Sequence, residues 1–192
     1  LSDGADVQST MGCLQAMGVD ITAGEEFGSF TIHGTNHGLQ EPEGFLDAGN
    51  SGTSMRLISG LIAPQPFMSV LSGDRSLRSR PMGRVIQPLK EMGAEIMGRK
   101  DDTLAPFAIR GGALKGVEYN MPVASAQVKS CIMLAGIAAS GNTILHQPAL
   151  SRDHTERMLT AMGAKVETDG LTLTLHPSSL EAVDVVVPGD VS

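Results

Sequence analysis

The chain has 192 residues, 41% hydrophobic and 18% charged, with 21 Asp and Glu against 14 Lys and Arg for a formal net charge of −7. That composition suits a globular protein with one good core or two small ones and excludes a disordered or collagen-like chain. The acidic balance argues against a nucleic-acid or membrane binder but leaves room for a local basic cluster that holds an acidic small molecule.

From the N-terminus, Val7, Met11, Leu14 and Met17 recur at helical spacing and Gly18 stops them. Val19 and Ile21 then alternate with Asp20, and Phe27 to Ile32 reads as a second strand. Asn50-Ser51-Gly52-Thr53-Ser54-Met55-Arg56 joins a small-residue turn to an apolar helix over Ser51 to Ala63. A similar junction opens a helix over Ser125 to Ala139, and Pro188-Gly189-Asp190-Val191-Ser192 is a possible third. Both helices are apolar nearly all round and are expected to be buried on most sides. The longest weakly polar run, Cys131 to Ala139, falls well short of the roughly 20 residues that span a bilayer. With no visible signal peptide, although the chain begins at Leu1 rather than Met, a cytoplasmic protein is expected. Cys13 and Cys131 lie far apart in no metal-ligand spacing, so both read as core thiols of a reducing compartment rather than a disulfide or zinc site. Trp is absent and Tyr occurs once, so stacking platforms for single-stranded nucleic acid are missing.

One unit recurs. Leu14-Gln15-Ala16-Met17-Gly18-Val19 is matched by Leu89-Lys90-Glu91-Met92-Gly93-Ala94 and Leu159-Thr160-Ala161-Met162-Gly163-Ala164. Each copy reads as a helix end where Gly takes the left-handed cap, feeding a strand. Further strands follow at Leu104 to Arg110 and Leu171 to His176, the latter after an Asp169-Gly170 hairpin turn. The expected architecture is α/β (α+β), a single unit of repeats near 1–48, 49–120 and 121–190, each ordered strand, helix, strand, buried helix, strand, strand. Pro88 should kink or split the second outer helix.

Several residues could carry chemistry. Gly49 to Thr53 lacks the Gly-Lys-Ser/Thr end of a nucleotide P-loop, and Ser51 is not in Gly-x-Ser-x-Gly. What remains is a helix start whose N–H groups, beside Gly52, can bind phosphate or carboxylate; plain capping by Ser51 or Thr53 explains the stretch as well. Ser125 and Gln127 offer a hydroxyl and an amide to an anion, against an N-cap followed by a surface Lys129. Arg75, Arg78, Arg80 and Arg84 cluster within ten residues, and Arg80, held extended before Pro81, is the best placed to face an anion. Asp153 and Glu156 have capping-box spacing, which leaves Ser151, Arg152 and His154 to point into a cleft. His33 and His37 lie in a Gly/Asn-rich turn rather than on a helix, so no metal pair is expected.

Five of these stretches in order, Leu46 to Thr53, Gly73 to Met82, Ser125 to Ser130, Ser151 to Thr155 and Pro188 to Asp190, resemble the 5-enolpyruvylshikimate-3-phosphate synthases, in particular a divergent bacterial subgroup. The resemblance covers essentially the whole chain, whereas the family's enzymes are more than twice as long. It implies most of one lobe, the shikimate-3-phosphate-binding one, built of βαβαββ units with buried parallel helices and outer sheets. The implied reaction transfers the enolpyruvyl group of phosphoenolpyruvate to the 5-hydroxyl of shikimate 3-phosphate, releasing phosphate, with no cofactor and no metal. Ser125, Ala126, Gln127, Ser151 and Arg152 should then meet shikimate 3-phosphate. Gly52, Thr53, Arg80 and Gln127 should meet phosphoenolpyruvate or glyphosate. Where many relatives have a second Ser the chain has Ala126, and where others have Tyr it has His154. The proton-transfer groups should lie in a second lobe outside this chain, so the chain alone should be inactive. Two alternatives stay open: a lobe of the sister transferase acting on a UDP-sugar, whose reactive loop Cys is hard to find in Cys13 or Cys131, and a non-catalytic anion-binding module.

Overall fold

The computed structural model describes residues 4–25, 29–35 and 38–185. Two four-stranded sheets share one topology. In the first, β3 (Leu46–Asp47), β4 (Met68–Ser72), β6 (Leu104–Arg110) and β5 (Glu95–Gly98) lie side by side in that order. In the second the order is β7 (Glu118–Asn120), β8 (Thr143–His146), β10 (Thr172–Leu175) and β9 (Val166–Asp169). The leading pair of each sheet is parallel and the rest are antiparallel.

A parallel pair needs a crossover, and in both sheets a buried helix supplies it. These are α2 (Gly52–Ile62) and α5 (Ala126–Gly136). An outer helix then leads to the antiparallel pair: α3 (Gly83–Glu91) in the first unit and α6 (His154–Ala161) in the second. Before them, α1 (Ala5–Ala16) feeds the hairpin β1 (Asp20–Ala23) to β2 (Phe30–His33), which repeats the last half of a unit. The expected βαβαββ pattern is present, but with the buried helix first and the outer helix second. Each sheet also begins one strand earlier than the divisions at 48/49 and 120/121, because β3 and β7 pair forward with β4 and β8. The second strand starts at Phe30 rather than Phe27, which lies outside the described residues, as does the third junction at 188–192.

The three Met-Gly ends have one geometry. Gly18, Gly93 and Gly163 have φ of 85°, 110° and 91°. In each, the glycine N–H donates three residues back while the next residue's N–H donates five back, from Val19 to Leu14, Ala94 to Leu89 and Ala164 to Leu159. This is the Schellman pairing, which satisfies helix-end carbonyls and turns the chain into a strand.

The helices α2 and α5 pack on each other at the centre. Gly60 lies so close to the neighbouring helix that a Cβ there would stand 2.1 Å from the Cys131 carbonyl oxygen. Met55, Ile58 and Ile62 from α2 join Val128, Cys131, Ile132 and Met133 from α5 in one continuous core. Burying each such side chain stabilises the fold by about 1.5–3 kcal/mol, which fixes the two helix starts relative to one another. Both cysteines are core residues as expected. Pro88 is buried within α3, which runs unbroken.

Two local expectations fail. Lys129 is 1% exposed and forms an ion pair with Glu156 instead of standing on the surface. With Glu156 drawn inward, no capping box forms. Asp153 precedes α6 without a side-chain cap, and its carboxylate accepts from Arg157 Nε at 2.7 Å.

Candidate anion-binding site

The start of α2 is built by short polar bonds. Ser51 Oγ accepts from the Ser54 N–H at 3.1 Å and from Ser54 Oγ at 2.7 Å, and Ser54 Oγ in turn bonds Thr10 Oγ1 at 2.6 Å. Ser51 is buried, so its hydroxyl is the cap; the N–H groups of Gly52 and Thr53 remain the open donors of this helix end. Ser125 caps α5 through a 3.4 Å bond from the Val128 N–H, leaving Ala126 and Gln127 in the equivalent position.

Gln127 joins the two helices. Its Nε2 donates to Thr53 Oγ1 at 2.7 Å, and its Oε1 accepts from Arg56 Nη1 at 2.8 Å. The same Arg56 nitrogen donates to Gly52 O at 3.1 Å, while Nη2 reaches Pro81 O at 3.4 Å. Burial first, then the charges of Arg80 and Arg84, hold the Arg56 pKa below the usual guanidinium value. Three guanidiniums against one nearby carboxylate, that of Asp74, make a place where a bound anion is favoured.

Arg80 is held from the other side. It has the extended backbone expected before Pro81, with φ −81° and ψ 140°, and its Nη2 donates to Asn50 Oδ1. Asn50 Nδ2 donates to Asp74 Oδ2 at 2.6 Å, and Asp74 Oδ1 caps the next turn by accepting from the Leu77 N–H at 2.7 Å. The Asn50 bond, more than the Leu77 N–H or the Arg80 charge, lowers the pKa of that carboxyl. A Cβ on Gly52 would stand 2.7 Å from Arg56 Nη1 and 3.3 Å from Arg80 Nη1. Glycine is therefore what lets both guanidiniums close over the helix start.

Beside this network lies a cavity of about 220 Å³ lined by Thr53, Leu57, Ala126, Gln127, Ser130, Arg152, His154 and Thr155. Of the residues singled out from the sequence, Thr53, Ala126, Gln127, Arg152 and His154 meet there. Gly52 and Arg80 sit at the adjoining end. Ser125 and Ser151 do not line the cavity; the Ser151 hydroxyl donates to Gln147 Oε1 at 3.1 Å.

In the wall itself Ser130 Oγ bonds Thr155 Oγ1 at 2.6 Å, and the buried Lys129–Glu156 ion pair also ties α5 to α6. The Glu156 Oε2 atom is buried with no hydrogen-bond partner. Sequence reasoning missed Asn50, Arg56, Ser130 and Thr155 as site residues. All four lie inside stretches that the sequence singled out, but only Arg56 carried a signal of its own, a lone charge four residues past Gly52.

Neither thiol is poised to react. Burial pushes Cys131 up to about 12, and burial followed by the Asp47 charge pushes Cys13 to about 11. No cluster of three or more metal-ligating side chains occurs among the described residues, where no helix is long and apolar enough to cross a membrane.

Residues 1–192 match the family EPSP synthase (3-phosphoshikimate 1-carboxyvinyltransferase). Similar proteins include the 3-phosphoshikimate 1-carboxyvinyltransferases of Bacillus thuringiensis (strain Al Hakam) and Bacillus anthracis (strain A0248), each 55% identical over 192 residues, with 98% of this chain and 44% of the relative covered. The solved EPSP synthase of Acinetobacter baumannii superposes with a TM-score of 0.88 at 47% identity, over 94% of this chain and 41% of that one. The chain thus spans less than half the length of the relatives it matches.

Proposed function

The chain belongs to the EPSP synthase family, and we propose that it is one lobe of such an enzyme, supplying one wall of the site that transfers the enolpyruvyl group of phosphoenolpyruvate to the 5-hydroxyl of shikimate 3-phosphate with release of phosphate. The observation that carries this reading is Gln127, which bridges Thr53 and Arg56 and so joins the two helix starts into one continuous anion-facing surface.

On this reading the two helix starts divide the work. Ala126, Gln127 and Arg152 line the cavity and face shikimate 3-phosphate, with Ala126 contributing only its backbone N–H. Ser125 and Ser151 reach the same phosphate once their hydroxyls turn from Val128 and Gln147. Gly52, Thr53, Arg80 and the far edge of Gln127 face phosphoenolpyruvate or glyphosate. These groups bind and orient; they offer no general acid and base pair, so the proton transfers fall to a second lobe, which is the chain's partner. The sister UDP-sugar transferase is disfavoured because both thiols are buried and protonated.

The test is calorimetric titration of the chain with shikimate 3-phosphate and, separately, with a UDP-sugar. Weak saturable heat from shikimate 3-phosphate that disappears in Arg152→Ala, with no turnover when phosphoenolpyruvate is added, is the expected result. Turnover by the 192-residue chain, or binding of the UDP-sugar alone, would overturn the proposal.

A further inference from the structure

A second groove, strongly basic, adjoins the Gly73–Arg80 segment. A groove of about 800 Å³ is lined by Arg75, Arg78 and Ser79 on one wall and by Arg99 and Lys100 on the other, with Leu104 and Pro106 as its apolar floor. It shares no lining residue with the cavity between the helix starts. Its volume falls in the range of small-molecule sites, roughly 300–1,000 Å³.

The charge is one-sided. Four cations converge in a chain whose net charge is −7, and no carboxylate lines the groove. Among the described residues none of the four forms an ion pair. Two of the nearest carboxylates in sequence are committed elsewhere. Asp74 accepts from Asn50 and from the Leu77 N–H. Asp102 accepts from Lys90 Nζ at 2.6 Å and from the Gly98 N–H at 2.6 Å. A third, Asp101, lines a different cavity. Like charges held together without counter-charge repel, and a multiply charged anion relieves that repulsion.

The walls are also positioned rather than loose. Arg99 Nη1 donates to Ala105 O at 2.7 Å, and Arg78 Nε to Asp74 O at 3.4 Å. Lys100 stands on the single turn α4 (Arg99–Asp102), where Lys100, Asp101 and Asp102 take φ of 48°, 53° and 61°.

We propose that this groove binds a phosphorylated small molecule carrying at least two negative charges, with arginine forks on its phosphoryl oxygens, Lys100 as a point charge and the Leu104–Pro106 floor under its organic part. The site is independent of the transfer reaction.

The test is a ¹H–¹⁵N NMR titration of the chain with pyrophosphate, against sodium chloride at equal ionic strength. Saturable shifts at Arg75, Arg78 and Lys100 are expected. The double variant Arg78→Ser, Lys100→Ser should weaken the apparent Kd by roughly a hundredfold or more, as expected for the loss of two charge-assisted bonds. Arg80→Ala should change it by less than about twofold. Shifts confined to Gly52 and Ala126, or reproduced by sodium chloride, would overturn the proposal.

Discussion

Two glycines on α2 should respond unequally to the same substitution. In Gly60→Ala the new Cβ would lie 2.1 Å from Cys131 O, 2.9 Å from its carbonyl carbon and 3.0 Å from its Cα. All three are backbone atoms of a buried helix, so relief requires moving α5 away from α2 by about 1 Å, with loss of close-packed contact along both helices. Overpacking of this kind costs about 1–3 kcal/mol, and a backbone obstacle places the site at the upper end. Alanine returns about 1 kcal/mol of helix propensity, leaving a net loss of about 2 kcal/mol. For a chain of this length that is a fall in Tm of roughly 4–8 °C by circular dichroism. Gly52→Ala is the control on the same helix, because its Cβ meets only the tips of Arg56 and Arg80. Its Tm should stay within about 2 °C of the parent while the two guanidiniums are displaced. A Gly60→Ala chain that melts within about 1 °C of the parent would refute the close-packing argument.

Three further predictions rest on side chains. Lys129→Met should destabilise by about 3–5 kcal/mol by stranding Glu156, whereas adding Glu156→Leu should recover most of the loss; a double variant no better than the single would show that the pair is not the cause. Asp74 carries a depressed pKa, so the stability it contributes is fully present above its ordinary value near 3.8 and is lost as pH falls through the lower folded value. In Asn50→Ala the Asp74 carboxyl carbon should titrate closer to that ordinary value, and an identical NMR titration in both chains would contradict the assigned cause. Cys131, with its thiol raised to about 12 and no exposure, should resist iodoacetamide at pH 8 until the chain unfolds; labelling of native protein at the rate of a free thiol would count against its burial.

What the sequence disclosed divides by range. The Met-Gly helix ends were legible because all their determinants are local: a Leu at the third-last position, a glycine that can take positive φ, and an apolar residue to follow. The all-round apolar composition of α2 and α5 likewise announced burial. The phase of the repeat was hidden, since β3 has two residues and β7 three, too short to show an alternation. Lys129 and the Asp153/Glu156 spacing misled for one reason. A buried ammonium requires a counter-charge, and Glu156 is more strongly held by that need than by a cap whose partner water can replace. Of the candidate site, residue types at the helix starts were readable. The Thr53–Gln127–Arg56 bridge was not, because its members lie 74 and 71 residues apart and meet only once α2 and α5 have packed.

The repeated scaffold therefore does not by itself make the candidate site. Both buried helices begin with a serine cap followed by a small residue, Gly52 or Ala126, and by symmetry alone they would present two equal anion cradles. The difference comes from what surrounds each start. At α2 the loop after β4 carries Arg80 onto Asn50, and Arg56 fills the space that a Cβ on Gly52 would take. At α5 the loop after β8 and the start of α6 instead bring Arg152, His154 and Thr155, while the basic side chain of the helix, Lys129, is withdrawn into an ion pair with Glu156. One start thus keeps its half-buried arginine turned to the site and the other buries its lysine in an ion pair. The two helix ends differ in their connecting segments and in the direction of one cation, while the core that fixes their separation, with Gly60 against Cys131, is common to both.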